Sequence, residues 1–228
     1  MKQGIFDLTV PAKLSRDDFL VSDSNRSAFE LIERWPDWPA LALVLHGPAG
    51  SGKTHLAHLW CERSGATLLA ADQVVGIESR GLAGAIAVDD ADRAPEVPLL
   101  HLYNSCRERG GQMLLTMATP PAATLMALAD LGSRLRSLPV VGIRPPDDAL
   151  LSGVLVKHFA DRQVRVEPNL IAYLLPRMER SFAAASALAA RLDQRALTVK
   201  GPVTIKLARD VLTELAGHSL PPSDLTVT

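Results

Sequence analysis

A phosphate-binding loop is the strongest chemical signal in the sequence. Residues 47–54 fit the pattern G-x-x-x-x-G-K-[ST]. Glycines at this spacing let backbone N–H groups turn toward an anion. Lys53 would reach the β- and γ-phosphates of a nucleotide, and Thr54 would offer a hydroxyl to Mg²⁺. A chance glycine turn is the alternative, which the predicted flanking strand and helix disfavour. The candidate residues are Gly47, Pro48, Ala49, Gly50, Ser51, Gly52, Lys53 and Thr54.

Two adjacent acids form the second candidate group. Four apolar residues, 85–88, end in Asp89 and Asp90, which is the Walker B pattern of a buried strand. Asp89 is predicted to join the Mg²⁺ ligands and Asp90 to orient or deprotonate the attacking water. A strand that ends in a solvated acidic turn is the alternative. Thr116 ends the next predicted strand, either as a sensor of the γ-phosphate or attacking water or as a plain strand-end hydroxyl.

The elements that must position these residues alternate between strand and helix up to residue 143. Such alternation predicts a mostly parallel sheet with helices on both faces. A helix is predicted over residues 122–129, because Pro120 and Pro121 precede it. Beyond Pro145 and Pro146 the pattern is helical only. The predicted strands are 41–45, 66–70, 85–88, 112–116 and 140–143.

Composition limits the function classes. The 228 residues are 47% hydrophobic and 21% charged, so the chain can bury a core. The formal net charge is -1, so the chain lacks the overall positive charge that would indicate nucleic-acid binding. No apolar run is long enough for a membrane span, and no signal pattern opens the chain. The two cysteines, Cys61 and Cys106, are expected to be reduced thiols rather than to form a disulfide. We therefore expect a cytoplasmic protein without membrane partners.

The first residues carry a short peptide motif. Gln3, Phe6 and Leu8 form Q-x-x-Φ-x-Φ, where Φ is an apolar residue. Peptides of this kind bind the bacterial sliding clamp, the β subunit of DNA polymerase III. The motif predicts a clamp partner, and contact with DNA through the clamp. An N-terminal segment that packs on its own domain is the equally weighted alternative.

Together these motifs resemble the AAA+ ATPases, and more closely the ATPase domain of the initiator DnaA. The segment with Phe19, Val21 and Asn25 resembles the adenine side of that site, and His55 continues the P-loop. Ser133 and Arg134, within residues 131–135, resemble the motif with its arginine finger. The resemblance implies a P-loop AAA+ core with a parallel five-stranded sheet and a small α-helical lid, and ADP or ATP with Mg²⁺ as cofactors. The expected division is 1–15 clamp-binding peptide, 16–145 nucleotide-binding domain, 146–217 lid and 218–228 tail.

The sequence departs from DnaA in ways that resemble the Hda family of DnaA-related regulators. The chain stops before a helix-turn-helix domain, and it opens with the clamp-like peptide. The resemblance implies a weak ATPase that promotes hydrolysis of DnaA-bound ATP through Arg134, with DnaA as partner and a homo-oligomer as an option. Met117 and Ala118 stand where DnaA carries its sensor I acid. Arg180 best matches the sensor II arginine, with Arg177 or a solvated arginine as alternatives.

Two other function classes stay open at this point. One is a helicase loader or another free-standing AAA+ ATPase, which would not need the clamp. The other is a P-loop small-molecule kinase, which the helices after residue 146 disfavour because they resemble a lid rather than a substrate domain. Binding to the clamp would separate the regulator from the loader, and phosphoryl transfer to a small acceptor would favour the kinase.

Overall fold

A computed structural model describes residue 16, residues 19–77 and residues 84–218; for residues 216–218 it describes the backbone alone. Five parallel strands form one sheet in the order β2-β3-β4-β1-β5. This confirms the predicted α/β fold with a five-stranded parallel sheet. The strands are β1 (Ala42–His46), β2 (Thr67–Ala70), β3 (Ile86–Asp89), β4 (Met113–Met117) and β5 (Val140–Gly142).

The described part of the chain contains eight α-helices. Four of them connect or flank the strands, and four follow β5 in sequence. They are α1 (Arg26–Glu33), α2 (Lys53–Ser64), α3 (Glu96–Glu108), α4 (Ala129–Arg136), α5 (Asp148–Asp161), α6 (Pro168–Leu174), α7 (Phe182–Val199) and α8 (Ile205–His218).

Both faces of the sheet are buried along its central strands β1, β3 and β4. Along β1, Ala42 and Val44 pack into one apolar cluster, whereas Leu43 and Leu45 pack into the cluster on the opposite face. Strands covered on both faces are apolar at every position rather than at alternate ones. This is why the sequence shows the strands as continuous apolar runs.

Helices α5 to α8 enclose a third apolar cluster of their own. Leu151, Leu155 and Phe159 lie along one face of α5 and are fully buried in it. The Asp147 carboxylate caps α5 by accepting from the Leu150 N–H at 2.8 Å. The Ser181 hydroxyl caps α7 by accepting from the Ala184 N–H at 3.1 Å. Such caps satisfy helix N–H groups that lack intrahelical partners, so both helices begin at defined positions beside the P-loop.

The helix predicted over residues 122–129 is wrong. Residues 121–123 form a turn, residues 124–128 are irregular, and α4 begins only at Ala129. The Glu96 carboxylate at the start of α3 accepts from the backbone N–H groups of Ala127 and Leu128. These N–H groups are thus satisfied by a residue about thirty positions away, and a local helix is not needed to satisfy them.

Within the described ranges, no helix combines the length and the apolar character that crossing a bilayer requires.

Cys61 and Cys106 are free thiols. Burial raises the pKa of Cys61 to about 11, so its thiol is protonated at neutral pH and unreactive.

Candidate nucleotide-binding site

The P-loop joins β1 to α2 and leaves little room for side chains at its three glycines. A Cβ on Gly47 would lie 2.5 Å from the Ile143 carbonyl oxygen. Gly50 and Gly52 have φ angles of 68° and 95°, which side chains disfavour. A Cβ on Gly50 would lie 2.7 Å from the Ser181 Cβ, and one on Gly52 would lie 3.1 Å from the Phe182 ring. The loop therefore needs glycine both for its turn and for the close approach of α7.

Lys53 opens α2 and folds back over the loop. Its Nζ donates to the carbonyl oxygens of Gly47 at 2.8 Å and Pro48 at 3.0 Å. The residue is only 7% exposed, so its charge lies inside the loop rather than in solvent. Burial and this nearby cation lower the pKa of His46, which keeps the imidazole neutral at pH 7. A cation in this position attracts anions to the loop.

The loop also holds an unpaired buried hydroxyl. Ser51 is 2% exposed, and its Oγ has no hydrogen-bond partner among the described residues. A buried polar group without a partner is costly, so this hydroxyl suits a phosphate oxygen. Together with the glycine cradle and Lys53, it shows that the residues present fit a nucleotide.

Three oxygen-bearing side chains meet at the N-terminal end of α2 and the carboxyl ends of β3 and β4. The Thr54 hydroxyl donates to Asp89 Oδ2 at 2.8 Å, and the Thr116 hydroxyl donates to Asp89 Oδ1 at 2.5 Å. Hydroxyl and carboxylate oxygens are the ligands that Mg²⁺ prefers. Thr54 and Asp89, predicted from separate motifs 35 positions apart, are therefore brought together as a pair that could hold the metal.

Thr116 links both Walker B acids. Besides donating to Asp89, its hydroxyl accepts from the Asp90 N–H at 2.9 Å, and the residue is fully buried. Asp90 has a left-handed backbone with φ of 52°, and its Oδ2 lies 3.5 Å from Arg93 Nη1. Thr116 thus fixes the backbone turn that presents the Asp90 carboxylate. A sensing role for Thr116 remains a prediction.

A cavity of about 510 Å³ lies between the P-loop and helices α5 and α7. Phe19 and Leu20 close one side of it. Phe19 stacks on Phe29 at 5.5 Å between ring centroids and meets His55 edge-on at 5.1 Å. Phe182 of α7 closes the cavity next to Gly52, and its N–H donates to the Gly50 carbonyl at 3.1 Å. The cavity therefore joins the P-loop to apolar aromatic walls.

Several predicted residues lie beside the cavity rather than in its wall. Val21 is 36% exposed and does not line the cavity in the described structure, whereas Leu20 does. Asn25 is buried; its amide donates to the Leu20 carbonyl at 2.9 Å and its Oδ1 accepts from the Ser22 N–H. Asn25 thus holds the segment that carries Phe19 and Leu20. Pro48 and Ala49 lie on the exposed outer side of the loop.

Arg180, predicted as the sensor II arginine, also lies outside the described cavity wall. Its Nη2 pairs with the Asp148 carboxylate at 2.8 Å, and its side chain is 53% exposed. The position nearest the P-loop on this side belongs instead to Ser181 and Phe182, which cap and begin α7. Arg177 is exposed and lies over the Tyr173 ring.

Sequence reasoning missed the contribution of α5 to the cavity. One face of this helix, with the residue after it, supplies Leu150, Val154, Lys157, His158, Asp161 and Arg162. Their spacing of three and four positions was a visible signal, because the buried lid residues occupy the opposite face. Burial and the Arg162 cation lower the pKa of His158, so a neutral imidazole lies in this wall at pH 7.

Arg134 lies on α4, apart from the cavity wall in the described structure. Its Nε donates to the Asp130 carboxylate, one turn earlier, at 3.1 Å, and its side chain is 26% exposed. The guanidinium carbon is 6.0 Å from the centroid of the Tyr103 ring. The clamp-motif residues Gln3, Phe6 and Leu8 lie outside the described residues.

Comparisons with known proteins agree with this geometry. A family model described as AAA domain matches residues 43–150. The chain is 28% identical to the chromosomal replication initiator protein DnaA of Caulobacter sp. (strain K31) over 190 residues. That match covers 70% of this chain and 39% of the relative, so the chain spans about two fifths of the relative's length.

Two solved structures share the fold. Domain III of the replication initiation protein DnaA from Thermotoga maritima matches with a TM-score of 0.78 at 15% identity, covering 89% of this chain and 97% of that one. AMPPCP-bound DnaA from Aquifex aeolicus matches with a TM-score of 0.71 at 16% identity, covering 91% and 71% respectively. The fold is therefore the AAA+ P-loop fold of DnaA domain III, and the sequence has DnaA-like homology.

Proposed function

We propose that this AAA+ domain with DnaA-like homology is a regulator of the Hda kind, which inactivates the initiator DnaA. In this proposal the chain holds an adenine nucleotide, docks on the DNA-loaded sliding clamp and promotes hydrolysis of ATP bound to DnaA. The position of Arg134 is the observation that carries the proposal. Its guanidinium is partly exposed on α4, where it pairs with Asp130, and it is not in the described wall of the chain's own cavity. We infer that it acts on a partner's nucleotide instead.

Nucleotide binding by this chain would serve mainly to hold its two halves together. ADP or ATP with Mg²⁺ would supply the phosphate anion and the metal charge. Lys53 and Ser51 would bind phosphate oxygens, and Thr54 with Asp89 would hold the metal. Phe19 precedes the sheet domain and Phe182 begins α7, and both rings lie beside Gly52 in the cavity wall. A nucleotide that contacts both rings would therefore join the sheet domain to helices α5–α8.

The test of the proposed function is a reconstituted hydrolysis assay. Purified chain is added to ATP-loaded DnaA with clamp-loaded DNA, and conversion of the bound ATP to ADP is followed. We expect faster conversion only when both the chain and the clamp are present. Equal conversion with and without the chain would contradict the proposal, and acceleration without the clamp would favour a free-standing AAA+ ATPase.

We expect the isolated chain to hydrolyse ATP slowly. Met117 and Ala118 follow Thr116 without an acidic side chain, and the Asp90 carboxylate lies near the Arg93 cation rather than alone. Steady-state phosphate release should stay below about one turnover per second, the low end of ordinary enzyme rates. An Asp90→Asn variant measured alongside reports the background of contaminating ATPase. Turnover above that value, and absent from the variant, would contradict this expectation.

We expect the peptide with Gln3, Phe6 and Leu8 to bind the clamp. Replacing Gln3 and Phe6 together by alanine removes one polar and one apolar anchor, so retention on immobilised clamp should be lost. Asp7→Ala changes a position between the anchors and serves as the matched control that keeps binding. Unchanged thermal unfolding would show that all variants are folded. Wild-type retention of the double variant would exclude this role for the peptide.

A further inference from the structure

The wall that α5 contributes to the nucleotide cavity has two chemically different halves. Leu150 and Val154 make its first half apolar. Leu20 packs against this half, since its Cδ1 lies 3.1 Å from where a Cβ on Gly153 would be. The second half is polar and consists of Lys157, His158, Asp161 and Arg162. Over the eleven steps from residue 150 to residue 161 the helix rises roughly 16 Å, so one helix spans both environments.

Packing holds the polar half toward the cavity. The opposite face of α5 presents Leu151, Leu155 and Phe159, all fully buried in the apolar cluster of helices α5–α8. Rotating α5 to turn Asp161 away would expose these three side chains to water. Because burial of large apolar side chains is strongly favourable, the orientation of the helix is set by its buried face.

The charged side chains of the polar half form only a long, partly exposed ion pair with one another. Lys157 Nζ lies 3.7 Å from Asp161 Oδ1, and the two side chains are 32% and 55% exposed. The Arg162 guanidinium donates to the His158 carbonyl at 2.9 Å. A long ion pair at this exposure contributes little to stability. The Asp161 carboxylate can therefore accept hydrogen bonds from a ligand at small cost to the fold.

We propose that the polar half of α5, centred on Asp161, recognises the nucleoside part of the bound nucleotide. This inference rests on the proposed nucleotide binding by the P-loop. The P-loop accounts for the phosphates, and the apolar walls suit a flat ring. The hydroxyls of a sugar and the amino group of a base then need acceptors when they are buried. Asp161 is the one carboxylate in the described cavity wall, and a carboxylate accepts from both kinds of donor.

Asp161 is proposed to contact the nucleoside and not the phosphates. The test therefore compares a ligand that contains a nucleoside with one that consists of phosphates alone. The affinities of ADP and of inorganic pyrophosphate, each with Mg²⁺, are measured by calorimetry on the full chain. For Asp161→Ala we expect the ADP affinity to fall roughly tenfold to a hundredfold, the range for loss of a hydrogen bond to a charged group. Pyrophosphate affinity should not change. Asp210→Ala, an exposed change on α8, should leave both affinities at wild-type values.

Further ligands locate the contact. If the loss caused by Asp161→Ala disappears with 2′-deoxy-ADP, the carboxylate accepts from the ribose hydroxyl. If the loss persists with 2′-deoxy-ADP but disappears with a diphosphate whose base lacks the amino group, the carboxylate accepts from the base. Either result supports recognition of the nucleoside.

Three results would overturn the inference. Unchanged ADP affinity in Asp161→Ala would place the residue outside the binding site. An equal loss of ADP and pyrophosphate would mean an effect on the phosphates or on the fold. Failure of the wild-type chain to bind either ligand would overturn the nucleotide site itself, whereas a negative result in the DnaA hydrolysis assay with intact ADP binding would contradict only the regulatory function.

Discussion

Replacing Arg134 by alanine is expected to abolish the acceleration of DnaA-bound ATP hydrolysis by this chain. An arginine finger supplied in trans changes hydrolysis rates by about 10³–10⁵ in well-studied systems. The guanidinium can fork onto two phosphate oxygens and stabilise the charge that develops during phosphoryl transfer. The conversion of DnaA-bound ATP to ADP on clamp-loaded DNA is the measurement.

The structure indicates that replacing Arg134 removes little stability, so a loss of acceleration would not come from unfolding. Arg134 contacts Asp130 as an i, i+4 pair at 3.1 Å, and pairs of this kind on a helix contribute only about 0.3–0.5 kcal/mol. The variant should therefore fold and keep both ADP binding and clamp binding. Arg134→Lys should fail nearly as badly, because an ammonium group cannot reproduce the planar fork.

Arg136 is the matched control. It lies two residues later on the same helix and is exposed, with its guanidinium close to Gly132. We expect Arg136→Ala to accelerate hydrolysis as the wild-type chain does. Full acceleration by Arg134→Ala would exclude the arginine-finger mechanism, and loss in Arg136→Ala alone would assign the finger to the neighbouring arginine.

Lys53→Ala should lose the stabilisation that ADP gives to the wild-type protein. A ligand at a hundred times its Kd stabilises the folded state by about 2.7 kcal/mol. For a chain of this size that corresponds to a rise in melting temperature of roughly 5–10 °C. Without Lys53 the phosphates lose their main cation in the loop, so the ADP-dependent rise should vanish in a thermal-shift assay.

The Lys53 experiment needs a baseline without nucleotide. Lys53 Nζ bonds to the carbonyls of Gly47 and Pro48, so the variant can differ in stability before any ligand is added. The ADP-dependent change is therefore the quantity to compare, not the melting temperature itself. Lys206→Ala, an exposed change on α8, should respond to ADP like the wild type. A wild-type response from Lys53→Ala would exclude the P-loop as the nucleotide site.

The sequence alone was sufficient to predict the sheet and the place of the P-loop within it. All five predicted strands are present, with ends shifted by about one residue. The central strands β1, β3 and β4 are buried on both faces, so each appears as a continuous apolar run that needs no partner to be recognised. The P-loop was visible because its eight residues are contiguous and their spacing alone defines the anion-binding turn.

Only the tertiary structure decided the other wall of the cavity and the contacts between distant residues. Thr54 meets Asp89, Leu20 rather than Val21 turns inward, and Arg180 pairs with Asp148 outside the cavity. The order β2-β3-β4-β1-β5 and the delayed start of α4, set by Glu96, are also decided by distant contacts. The reason is the same in each case: local patterns specify which face of an element is buried, but the partner on that face comes from another part of the chain.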